Sequence, residues 1–197
     1  MTTPAKGHSH TPLSWSTDGV LLFDDSDGAL FTLMALTFRD KSVQPFGNVK
    51  SGTPTGAAFS PNGRWVAYSV RQGGYDRQNI VFVQPYPATG ALFQVSKSTE
   101  DGHHQVWSTD GTELYYTPGP GSTLIVVPVT TTPTFALGEP KNHPRLFTNN
   151  APTAQRTYAA AAQGRFFGLT GSANRTDSAG QTQLQVVLNW FEELRNR

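Results

Sequence analysis

The sequence predicts an all-β fold, a β-propeller-type repeat of about four four-stranded blades, and three observations carry that expectation. The first is a segment that enters a Gly-centred turn and leaves it into aromatics and aliphatics four times. The copies are Trp15-Ser16-Thr17-Asp18-Gly19 running on to Phe23, Phe59-Ser60-Pro61-Asn62-Gly63-Arg64-Trp65, Trp107-Ser108-Thr109-Asp110-Gly111 running on to Tyr116, and a degraded copy from Tyr158 to Leu169 around Gln163-Gly164-Arg165. The second is spacing: the turn glycines stand at 19, 63, 111 and 164, intervals of 44, 48 and 53 residues, which suit one four-stranded blade per interval and exceed ankyrin or leucine-rich units. The third is composition. Only 15% of residues are charged, and 14 prolines and 19 glycines divide the chain into short pieces, as half-buried strands joined by tight turns require.

Each turn has a legible chemistry. Ser-Thr-Asp-Gly or Ser-Pro-Asn-Gly offers a side-chain oxygen to the backbone and a glycine for positive φ, so strands are expected on both sides. Asp18, Asn62 and Asp110 therefore belong to the scaffold. A second aliphatic strand follows each turn, at Leu30–Leu36, Ile80–Gln84, Leu124–Val129 and Leu184–Trp190, and a weaker outer strand follows around Val43–Phe46, Leu92–Val95 and Arg145–Phe147. Pro45 and Pro128 are assigned to edge positions, where a missing N–H costs least. The expected organisation is an N-terminal flexible segment, 1–10, then blades at about 11–47, 48–97, 98–148 and 149–197. Trp15, Phe59, Trp107 and Tyr158 recur beside the turns and are expected to pack between blades.

A formal net charge of +1, with 15 Lys and Arg scattered along the chain, gives no case for nucleic acid. No stretch is long and apolar enough for membrane insertion, and Met1–His10 has no apolar leader core. Zero cysteines remove disulfides and thiolate chemistry. No Gly-x-Ser-x-Gly elbow, phosphate loop or kinase signature is present, so no catalytic residue is assigned and the chain is expected not to be an enzyme. The adjacent carboxylates Glu100-Asp101 and Glu192-Glu193 are read as solvated charge. Asp24-Asp25-Ser26-Asp27-Gly28 departs from a calcium loop at its first position, Phe23, and at Met34 where a Glu is needed, so it is read as a β-turn with solvated carboxylates. His8-Ser9-His10 and His103-His104 fall short of a metal site, because adjacent strand residues point to opposite faces; metals and cofactors are expected to be none. One of His103 and His104 is expected to face the central channel as a contact residue.

The long polar loops, Arg71 to Asn79 and Gly171 to Gln183, are where a binding role is expected. Tyr75 lies outside the repeat. With Arg71 and Arg77 it forms the best candidate contact patch, Tyr and Arg being the residues that anchor interfaces; His103 and His104 complete the candidate binding set.

Phe59-Ser60-Pro61-Asn62-Gly63-Arg64-Trp65 resembles the aromatic–Ser–Pro–Asp–Gly–Arg turn of TolB-type, WD-repeat-like bacterial β-propellers. Val187-Leu188-Asn189-Trp190-Phe191-Glu192-Glu193-Leu194 is similar to the ending of propellers that close bacterial receptor-like Ser/Thr kinases. The resemblance runs from about Thr11 onward. It implies a non-catalytic protein-interaction or sensory module, a protein partner, and a periplasmic or extracytoplasmic setting. The alternative it implies is an accessory or gating propeller of a prolyl-peptidase-like hydrolase. Propellers of that group close with six to eight blades, so four modules imply an incomplete, open array, the C-terminal part of a larger propeller; a self-contained four-blade ring and closure by two copies are the alternatives. An open array would self-associate through its unpaired blade edge. The tail from Trp190 to Arg197 is expected to cap the last module.

Overall fold

A computed structural model describes residues 2–71, 78–145, 147–148 and 151–169. Among these the regular structure is strand apart from one 3-10 turn, in successive antiparallel sheets. The first holds β1 (Ser9–Trp15), β2 (Val20–Ser26), β3 (Phe31–Thr37) and β4 (Ser42–Ser51) in sequential order. The second holds β5 (Ala58–Phe59), β6 (Trp65–Val70), β7 (Ile80–Pro85) and β8 (Phe93–Gln94), again in order. The third runs from β9 (His103–Trp107) through β10 (Glu113–Thr117) to β11 (Thr123–Thr130), whose outer edge carries β12 (Ala136–Leu137) and β13 (Lys141–Pro144). A fourth sheet pairs β14 (Tyr158–Ala160) with β15 (Phe166–Gly168) across a 3-10 turn at Ala162–Gly164. The strand expected at Leu184–Trp190 and the capping tail lie outside the described residues.

β5 lies against β1 and β9, and β9 against β14, so the first strand of each sheet is the innermost and the sheets stack face to face around a common axis. Alternation along the strands builds the interfaces. In β6, Val66, Tyr68 and Val70 pack towards the first sheet with Leu22, Leu33 and Phe46, while Ala67 joins the core shared with the third sheet. In β11, Ile125, Val127 and Val129 face the second sheet, and Leu124 meets Tyr115 and Tyr158 of the next interface. Phe135 fills the gap between the second and third sheets, 4.8 Å from Trp65 and 4.7 Å from Phe93 between ring centroids.

The repeated turn is one hydrogen-bond pattern. Gly63 N–H donates to Ser60 C=O at 2.8 Å, Trp65 N–H to Ser60 Oγ at 3.0 Å, and Arg64 N–H to Asn62 Oδ1 at 3.0 Å. The third turn repeats this with Gly111, Ser108, Glu113, Thr112 and Asp110. There the Ser108 hydroxyl, followed by the Thr112 amide and hydroxyl, holds the Asp110 carboxyl down at about 2. Gly19, Gly63 and Gly111 have φ of 77°, 68° and 73°, which a Cβ would strain.

Some elements depart from expectation. Pro128 is not on an edge strand: it lies within β11 opposite Glu113. Its carbonyl accepts Gly138 N–H at 2.7 Å on the outer side, so its nitrogen faces the break between β12 and β13, where no partner strand runs. The outer strand of this sheet is Lys141–Pro144, not Arg145–Phe147, because the Arg145 amide turns back to Ser122 C=O at 2.8 Å. Trp15 does not pack between sheets; it is 58% exposed and stacks on Phe38 at 4.3 Å. Phe59, Trp107 and Tyr158 are buried.

Asp24 is not a solvated turn residue. It is fully buried, and its carboxylate accepts Thr55 N–H at 2.9 Å and Thr55 O–H at 2.7 Å from the segment leading into β5. Only Asp27 makes the exposed turn, accepting the Ala29 and Leu30 amides. Asp25 instead meets His8 Nδ1 at 2.9 Å and His10 Nε2 at 3.6 Å. Asp24→Ala is expected to lower the urea-unfolding free energy by about 2–3 kcal/mol, because it strands the buried Thr55 amide as well as removing two bonds. Asp24→Asn keeps an acceptor and is expected to cost about 1 kcal/mol; equal losses for the two variants would contradict this latch.

Candidate functional site

The inner strands converge on a cleft of about 350 Å³ whose walls include Leu13, Gly56, Ser69, His103, His104 and Arg156. A second cavity, of about 440 Å³, shares His103 and adds Asp101, Gly121, Arg145 and Ala151. His103 and Pro152 line both and stand between the two.

Contrary to strand alternation, both histidines serve this site. Thr117 pairs with His103 and Tyr115 with Val106, so His104 and Gln105 together oppose Tyr116 in a β-bulge. His104 takes φ of 55° there, a left-handed conformation uncommon for a side-chain-bearing residue. The bulge turns the rings towards each other, with Nδ1···Nδ1 2.9 Å and ring planes at 88°. The protons follow from the neighbours. Ala154 C=O, 3.0 Å from His104 Nε2, requires an N–H there; neutral His104 then presents Nδ1 as an acceptor, and His103 must donate from its own Nδ1. Thr117 O–H donates to His103 C=O at 3.0 Å, leaving its oxygen to accept from the same Nδ1 at 2.9 Å. His103 Nε2 is left as a lone pair. Burial, then the His104 charge, lowers the His103 pKa to about 4; Asp101 opposes this, while Arg145 and Arg71 add to it.

Donors on each sheet hold the site to the one before. Gln105 Nε2–H donates to Thr55 and Gly56 C=O at 2.9 and 2.8 Å, and the Trp107 indole N–H to Ala58 C=O at 3.0 Å. From the segment before β14, Arg156 donates to Gln105 C=O at 2.8 Å, and from β14 itself Tyr158 O–H donates to His104 C=O at 2.5 Å. Burial raises the Tyr158 pKa and lowers that of Arg156, so the phenol remains protonated as the donor. Ser69, the serine lining the cleft, gives its proton to Thr55 C=O at 3.3 Å.

Of the sequence-predicted residues, His103 and His104 line the cleft and Arg71 comes close enough for its charge to act on His103. Arg71 is tied at its amide to Ser51 Oγ at 3.0 Å and at its carbonyl to Gly52 N–H at 3.0 Å. Tyr75 and Arg77 lie outside the described residues. Glu100 and Asp101 are engaged rather than solvated: Tyr116 O–H donates to Glu100 at 2.7 Å, and Asn79 gives Asp101 Oδ1 its amide and side-chain N–H at 2.8 and 2.6 Å. Sequence reasoning missed Arg145 and Arg156. The described residues contain no arginine–carboxylate ion pair, and no set of three His, Cys, Asp or Glu side chains arranged to hold a metal.

No family model matches the chain, and no curated protein matches it. Solved structures do. TolB from Acinetobacter baumannii superimposes with a TM-score of 0.56 at 13% identity, over 83% of this chain and 38% of that one. A putative TolB from Agrobacterium tumefaciens gives 0.50 at 13% identity, over 70% of this chain and 50% of that one. The chain spans half or less of the length of these structures. Its fold is a TolB-like β-propeller array.

Proposed function

We propose that the chain is a non-catalytic protein-interaction or sensory module of the TolB-like type, with the axial cleft and its rim as the contact surface. One observation carries the reading: β9 and the segment leading into β14 bring His103, His104 and Arg156 to a single open cleft, with Arg71 close enough for its charge to act on His103. Cleft loops on a rigid scaffold suit recognition. Chemistry is not favoured, because Ser69 and His104 spend their protons on backbone carbonyls. Tyr75 and Arg77, four and six positions after Arg71 in the sequence, belong to the proposed contact set. Self-association would use the exposed Trp15–Phe38 stack of the first sheet, since the matching Trp107 covers the sheet before it.

Selection of a displayed peptide library against the whole chain tests this. Selected peptides are expected to bind R71A and H104A at least about tenfold more weakly, a loss of about 1.4 kcal/mol. Unchanged affinity for both folded variants, or turnover of generic ester and peptide substrates above the buffer rate, would reject it.

A further inference from the structure

We propose that the cavity between His103 and Arg145 is an oxyanion site, taking a carboxylate or phosphate group on the Arg145 guanidinium and the His103 Nε2 edge. This deepens the interaction reading and rests on it only for the accessibility of the axial region.

Arg145 is 9% exposed, yet among the described residues its Nε has no hydrogen-bond partner and its guanidinium makes one weak bond, Nη1 to Thr123 C=O at 3.3 Å. A buried guanidinium with an unfilled donor and no carboxylate in contact is costly unless a ligand completes it. Arg71 Nε is a second buried donor without a partner among the described residues. Asp101 lines the same cavity, but Asn79 already supplies two donors to its Oδ1.

His103 adds a conditional donor. With Nδ1–H committed to His104 and Thr117, its Nε2 offers only a lone pair while the ring is neutral. Protonation converts Nε2 into an N–H on a ring that lines the same cavity as Arg145. An oxyanion in the cavity favours that protonated form, so binding takes up a proton and tightens as the pH falls. The groups bearing on this titration are His104 and Asp101 from the third sheet's inner end, Arg145 beyond β13, and Arg71 beyond β6; the oxyanion offsets the repulsion that the arginines and His104 impose.

The test is an imidazole-nitrogen NMR titration of the whole chain, labelled at histidine, from pH 4 to 7.5, with inorganic phosphate, with acetate, or with neither. The expected result is a saturable rise of about one pH unit or more in the His103 midpoint, equivalent to about tenfold tighter anion binding to the protonated form. A response to phosphate alone assigns a phosphate-bearing ligand, and one to acetate alone a carboxylate. The proposal is overturned if neither anion moves His103, if exposed His143 moves equally, or if folded R145M keeps the full shift. Should R145M not fold, R145K, which lacks the Nε donor, must weaken the anion at least about fivefold; an unchanged response overturns the site. Failure here with intact peptide binding leaves the interaction module standing, whereas loss of peptide binding alone spares the anion site.

Discussion

Trp107→Ala is expected to lower the unfolding free energy by about 4 kcal/mol, within the usual cost of emptying a buried indole. Trp107 is 4% exposed and sits in the core formed by Ala58, Val81 and Val83 of the second sheet with Leu114, Tyr116 and Phe135 of the third. The substitution opens a cavity between two sheets and leaves Ala58 C=O without its indole donor. For a chain of this size the melting midpoint should fall by about 2–4 °C per kcal/mol, hence by roughly 10 °C. Trp107→Phe keeps most of the volume and should recover more than half the loss. Trp15→Ala is the matched control: it has the same place in the repeat but is 58% exposed, so its cost should stay below about 1 kcal/mol. Similar losses from the two alanine variants would show that the repeat position, rather than the neighbouring sheet, sets the energetics.

The second large effect is a pair of opposing pH dependences. The folded His103 pKa lies near 4, below its ordinary 6.5, so the unfolded chain binds more protons between these values. Its stabilising contribution is present above about 6.5 and is lost as the pH falls towards 4, by at most about 3 kcal/mol. Burial pushes the Asp24 carboxyl up from 3.8 to about 6 against the two Thr55 bonds that lower it. Its contribution has the opposite sign, being fullest below about 3.8 and lost as the pH rises through 6, again by at most about 3 kcal/mol. Urea-unfolding free energies of the native sequence should therefore change little from pH 4 to 6.5. D24N should expose the His103 loss, with stability falling on acidification, and H103Q should expose the reverse slope. Parallel profiles for the two variants would refute the assignment.

The repeat turns were legible because their demands are local: a side-chain oxygen two residues before an amide, and a glycine at positive φ, can be read within a few positions. The axial site was legible only in part. His103 and His104 were identified as candidates, but alternation argued that they point apart, and a bulge with φ of 55° at His104 is set by pairing to β10 rather than by its own sequence. Arg145 was assigned to an outer strand and Arg156 drew no notice, because an arginine's burial depends on a neighbouring sheet far along the chain. Asp24 was misjudged for the same reason: its acceptor role exists only once Thr55, 31 residues on, closes over it.

The side-chain bonds from Gln105 and Trp107 to Thr55, Gly56 and Ala58, and from Arg156 and Tyr158 to Gln105 and His104, share one direction. In each, the later sheet supplies the donor and the earlier sheet supplies a peptide carbonyl. A carbonyl is present whatever the side chain, so at these contacts the earlier partner is recognised by its path and not by its composition. Along the inner strands the joints are in this sense polar, although nearer the outer side the Trp65 indole N–H of the second sheet donates forward to Thr131 C=O at 3.3 Å. Grafting a foreign inner strand ahead of the third or fourth sheet should preserve these carbonyl contacts, whereas one grafted ahead of the second sheet must supply the side-chain acceptor that Ser14 gives to the Phe59 amide.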